Sequence, residues 1–103
     1  MNFDIGTLED YVNGQAVQVK RGDRTLVVVR IDQDVYVLDD RCSHEDFSLA
    51  LGEVVAATCE IECARHGAMF NLKDGQPVSF PATRTVARYD VVTDAGRLTV
   101  AIT

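Results

Sequence analysis

Two short segments of this chain, Cys42-Ser-His44 and Cys63-Ala-Arg-His66, each place a thiol and an imidazole two or three residues apart. Taken singly, a cysteine reads as a small buried hydrophobe and a histidine as an ordinary surface or core residue. Both histidines of the chain, however, follow closely on a cysteine. Packing does not predict that placement, whereas a metal centre held between two loops does. Two sulfurs and two nitrogens can close a tetrahedral zinc site or hold an asymmetric iron–sulfur cluster. Zinc fingers usually pair cysteine with cysteine and histidine with histidine at their knuckles. Here each knuckle is mixed, which favours the cluster over zinc.

Between and around these segments the pattern is all-β. Gly14, Arg21-Gly-Asp23, Asp32-Gln-Asp34, Gly52, Asp74-Gly75 and Asp94-Ala-Gly96 punctuate runs rich in valine, isoleucine and leucine, as turns between short strands do. Val17/Val19, Val35/Val37, Cys59/Ile61/Cys63 and Leu98/Val100/Ile102 alternate with mostly polar or small neighbours, the period of half-buried strands. Leu26-Val-Val-Val29 is continuous and fits a strand covered on both faces, although periodicity alone leaves a short buried helix open. Only Thr7-Leu-Glu-Asp10 reads as a helical turn. Antiparallel strands in a small sandwich or partly closed barrel are expected, with the two Cys/His loops at one end. The 103 residues are expected to form a single domain.

The paired loops and their flanks resemble a Rieske protein, in which two cysteines bind one iron of a [2Fe–2S] cluster and two histidines the other. The loop Cys63-Ala-Arg-His66-Gly67-Ala-Met-Phe70-Asn, followed by Asp74-Gly75, Pro77 and Pro81, resembles the family's second cluster loop and its shielding proline loop. The resemblance implies the Rieske fold, with a cluster-binding subdomain over about residues 40–82. It also implies Cys42 and Cys63 on one iron, and His44 and His66 on the other. Cys59 stands outside that set and is expected to be a buried packing residue on the face of Ile61. Gly67 is read as a tight turn or a close approach to the cluster.

The same resemblance ranks the chain within its family. High-potential respiratory members resemble Cys-x-Cys-His-Gly-Ser-x-Tyr here, with serine and tyrosine hydroxyls donating to the cluster and an extra cysteine in each loop forming a disulfide. This chain carries Ala68 and Phe70 where the hydroxyls would stand, and Phe47 and Arg65 where the disulfide cysteines would stand. A potential at the low end of the Rieske range, about −150 mV, is implied, as in ferredoxins that serve non-haem iron oxygenases.

Such a ferredoxin passes single electrons from a flavin-dependent reductase to the terminal component of a ring-hydroxylating oxygenase. A ferredoxin of another redox system, such as iron–sulfur assembly or a reductase small subunit, is the alternative. Behind it stands a zinc-stabilised binding module. The loop between His44 and Cys63 is slightly longer than is common in oxygenase ferredoxins, and Ala64 replaces a frequent proline, which keeps the subfamily open. Both histidines are used as ligands, so no two-histidine, one-carboxylate iron site can be built on this chain, and no glycine-rich dinucleotide fingerprint occurs. An electron carrier without its own catalytic site is expected.

The formal charge of −6 is unevenly spread: from Asp32 to Glu62 nine acids face Arg41 alone, a balance of −8, which leaves +2 for the remainder. This excludes a basic nucleic-acid-binding surface and leaves two roles for the acids, solvation or docking of a basic partner. Neither a signal-peptide pattern nor a membrane-length apolar run occurs, so a soluble, cytoplasmic protein without a disulfide framework is expected.

Overall fold

Four consecutive apolar residues, Leu26 to Val29, are each 0% exposed, and the reason is a sheet packed on both faces. The computed structural model describes residues 2–41, 47–65, 67–78 and 84–102. In chain order the strands are β1 (Asn2–Thr7), β2 (Ala16–Arg21), β3 (Arg24–Ile31), β4 (Asp34–Asp39), β5 (Val54–Val55), β6 (Glu60–Glu62), β7 (Met69–Asn71), β8 (Arg88–Tyr89), β9 (Val91–Asp94) and β10 (Arg97–Ala101). They form three antiparallel sheets, ordered β1-β10-β9, β2-β3-β4-β8 and β5-β6-β7.

The sheet containing β3 lies between two cores. On one face Leu26 and Val28 join Val37, Leu98, Val100 and Ile102, together with Ile5 and Tyr11. On the other face Val27 and Val29 join Leu38, Leu49, Ile61, Cys63, Ala68 and Phe70. Because side chains alternate along a strand, the continuous run supplies two residues to each core. Burying such a side chain is worth about 1.5–3 kcal/mol relative to leaving it exposed. The strand reading of this run therefore holds over the helical one, and the two-sided packing explains why the run does not alternate.

The turns fall where the sequence places them. Gly22 joins β2 to β3 with φ of 60°, Asp32 joins β3 to β4 with φ of 56°, and Ala95-Gly96 joins β9 to β10 with φ values of 52° and 79°. The expected helical turn is present at Leu8–Asp10 as a 3₁₀ turn, with the Thr7 N–H donating to Asp10 Oδ2 at 2.8 Å. Two further 3₁₀ turns, Leu49–Leu51 and Ala56–Thr58, are not foreshadowed by periodicity. Single turns of this length are too short to carry one. Among the described residues no helix is long and apolar enough to cross a membrane.

Cys59 corrects the sequence reading. It is not part of a strand with Ile61 but precedes β6, in the left-handed region with φ of 57° and ψ of 52°. It is half-buried against the core rather than fully enclosed.

Candidate metal centre

β6 and β7 form a hairpin, and the loop between them carries Cys63-Ala-Arg-His66. The Cys63 N–H donates to the Ala68 carbonyl at 2.7 Å, and the Gly67 N–H donates back to the Cys63 carbonyl at 2.8 Å. Gly67 closes this turn with φ of 73°, which glycine adopts without steric cost. Cys63 itself is 0% exposed. It belongs to the core cluster that also holds Leu49, Ile61, Ala68 and Phe70.

Of the four residues expected to bind metal, Cys63 is described, whereas Cys42, His44 and His66 lie outside the described residues. Pro81 lies outside them too, while Pro77 pairs with Phe70 across an isolated antiparallel bridge. The described flanks of the two loops meet. Phe47, just after the first loop, packs against the core that holds Cys63, and the Arg65 guanidinium from the second loop sits over its ring. Ala68 and Phe70 are both 0% exposed in the same core. The two positions where high-potential members carry hydroxyls are thus apolar and buried beside Cys63.

Behind the loops, Gly52 allows two segments to touch. A Cβ at this position would fall 1.5 Å from the Glu62 carbonyl oxygen, and the Glu62 N–H donates to the Glu53 carbonyl at 2.8 Å. The backbone leaving the first loop is thereby held against the strand that enters the second.

Several buried or hydrogen-bonded groups outside the expected ligand set were not legible from sequence. Asp40 is buried at 7% exposure, where the charge tally counts it with the surface acids. Asp39 accepts a hydrogen bond from the Tyr89 hydroxyl at 2.7 Å. Burial, and then that bond, push the Tyr89 phenol up to about 12. Tyr36 shares a hydrogen bond with the Cys59 sulfur; burial first, and that bond second, raise its pKa as well. The one sequence signal for the carboxylates is the Asp39-Asp40 doublet at the end of β4, two residues before Cys42.

The Rieske [2Fe-2S] domain family matches residues 2–90. The chain belongs to this family. Its resident cofactor is accordingly a Rieske-type [2Fe–2S] cluster, and a cysteine enclosed at a hairpin loop beside apolar walls fits a sulfur donor to such a group. Among curated relatives, the 3-phenylpropionate/cinnamic acid dioxygenase ferredoxin subunit of Photorhabdus laumondii subsp. laumondii is 29% identical over 98 residues, covering 95% of this chain and 91% of that one. Among solved structures, the ferredoxin of carbazole 1,9a-dioxygenase from Nocardioides aromaticivorans IC177 superposes with a TM-score of 0.96. It shares 30% identity, and the match covers 100% of this chain and 99% of that one. A chain in the complex of reduced oxygenase and oxidized ferredoxin in carbazole 1,9a-dioxygenase superposes with a TM-score of 0.90 at 31% identity, covering 97% and 92% of the two chains. The all-β Rieske fold expected from the sequence is the fold observed.

Proposed function

We propose that this Rieske protein is a ferredoxin that carries single electrons from a flavin-dependent reductase to the terminal oxygenase of a ring-hydroxylating system. Cys42 and Cys63 hold one iron, and His44 and His66 the other. When bound, the cluster supplies a one-electron acceptor and donor. The observation that carries this reading is the end-to-end likeness to a dioxygenase ferredoxin, supported by the likeness to a chain of an oxygenase–ferredoxin complex.

The chain's own part is to hold and shield the centre. Leu49, Ile61 and Phe70 share with Cys63 a core from which water is excluded, and the hairpin's two backbone bonds fix the Cys63 turn. Both histidines are assigned as ligands, so the chemistry on the organic substrate belongs to the partner.

Reductive titration of the purified chain tests the reading. About two irons and two sulfides per chain and a Rieske-type paramagnetic signal after uptake of one electron are expected, followed by oxidation on mixing with a ring-hydroxylating oxygenase. Stoichiometric zinc without sulfide would overturn the ligand assignment. An intact cluster that neither accepts electrons from a flavin reductase nor passes them to an oxygenase would overturn the role.

A further inference from the structure

The first cluster loop begins and ends on one buried carboxylate. Asp40 Oδ2 accepts hydrogen bonds from Gln18 Nε2 at 2.6 Å and from Ser48 Oγ at 2.5 Å, and Oδ1 accepts from the Ala50 N–H at 2.7 Å. Its own N–H donates to the Thr25 carbonyl at 3.0 Å. Asp40 stands two residues before Cys42, while Ser48 and Ala50 follow the loop on its other side. The carboxylate therefore ties the two stems of this loop to each other and, through Gln18, to β2.

Among the described residues the side-chain and backbone donors to Asp40 are neutral, and an ionised carboxylate only accepts. Among the described residues no ion pair to Asp40 is found. Three neutral hydrogen bonds orient the charge but do not cancel it. In sequence Asp40 stands two residues before Cys42, a span of chain of at most about 7 Å, and its carboxylate is largely removed from solvent.

We propose that Asp40 is a positioning residue for the metal centre: it pins both stems of the first ligand loop, and its buried negative charge makes the centre harder to reduce. This rests on the reading that Cys42 and His44 are ligands. At an effective dielectric constant of about 20, a unit charge changes an equilibrium constant about tenfold when the separation is about 12 Å, and by less when it is longer.

Voltammetry and paramagnetic resonance on the cluster-loaded protein test it, with wild type measured first. A wild type without iron and sulfide would overturn the ligand reading, whatever the variants do. With the cluster present, Asp40→Asn keeps the shape and removes the charge. Its reduction equilibrium should shift about tenfold toward the reduced state, a rise of about 59 mV. Ser48→Ala and Gln18→Leu keep the charge and remove one neutral donor each, so their potentials should fall.

An unchanged potential in Asp40→Asn, or an equal rise in Ser48→Ala, would overturn the proposal, the second by assigning the effect to loop geometry. Should Asp40→Asn fail to hold the cluster, Ser48→Ala and Gln18→Leu decide: lowered potentials uphold the role of the charge, and unchanged ones overturn it.

Discussion

The Arg65 guanidinium carbon lies 6.0 Å from the centroid of the Phe47 ring. These residues stand where, by the resemblance drawn from sequence, respiratory relatives join the two loops with a disulfide. The structure puts a cation over an aromatic face in its place. An exposed contact of this kind contributes about 0.5–1 kcal/mol, against about 2–4 kcal/mol for a typical disulfide. The loops of this ferredoxin are therefore tied together more weakly, and by a contact that needs no oxidising compartment. A double-mutant cycle with Arg65→Gln and Phe47→Leu, read from chemical denaturation of the loaded protein, should give a coupling of about 0.5–1 kcal/mol. Additive effects would show that the stack does not join the loops.

Gly52 gives a larger and simpler effect. A methyl group there would overlap the Glu62 carbonyl oxygen at 1.5 Å, and backbone on both sides leaves no flexible side chain to yield. Gly52→Ala should lower stability by about 3 kcal/mol, the upper part of the usual range for overpacking. Since Glu62 adjoins Cys63, cluster loss should also be faster. Denaturation and cluster-bleaching rates check both, and a change below about 1 kcal/mol would mean that the two segments separate readily.

The sequence made the fold readable where one rule acts alone. Alternation marked the strands, the turn residues marked their ends, and the mixed Cys/His loops pointed to the Rieske family. It was silent where contacts are made between distant segments. The burial of Asp40 depends on Gln18 and Ser48, which no local pattern links to it, so a charge count placed it on the surface. The left-handed backbone of Cys59 breaks an apparent alternation with Ile61 and Cys63 that has no local warning. Burial of Asp40 and the Tyr89 bond to Asp39 also remove two carboxylates from any simple acidic docking face.

Cys59 sits against the core at the end of a 3₁₀ turn, with its carbonyl accepting from the Leu72 N–H at 2.9 Å. That backbone bond does not depend on the side chain. Cys59→Ser should keep the cluster and lose at most about 1 kcal/mol, whereas Cys63→Ser should lose or rearrange it. Iron and sulfide content of the two variants decides; a cluster lost from folded Cys59→Ser would put Cys59 in the ligand set.

Tyr89 links stability to alkaline pH. Its folded pKa is raised from 10.0 to about 12, so the folded state holds this proton more tightly than the unfolded chain. The resulting stabilisation is complete below about pH 10 and is lost as pH rises toward about 12. Tyr89→Phe should remove this contribution, and denaturation curves for the two proteins should differ less in slope against pH above this window than within it. Parallel curves throughout would show that the phenol does not report folding.

The apolar surroundings of Cys63 test how hydrogen bonding sets the potential. Ala68 and Phe70 are fully buried in its core cluster at the positions of the hydroxyl donors in high-potential relatives. A hydrogen bond to cluster or cysteine sulfur favours the electron-rich reduced state, so Ala68→Ser and Phe70→Tyr should each raise the potential. If each bond favours that state by about 1–1.5 kcal/mol, the one-electron shift is about 40–65 mV, and the double variant should shift further than either single one. Because both sites are enclosed, a hydroxyl that finds no sulfur is left unsatisfied and costs about 1–3 kcal/mol of stability. Voltammetry and denaturation together therefore separate the cases: a higher potential with stability kept means the donors reach sulfur, whereas an unchanged potential with stability lost means they do not.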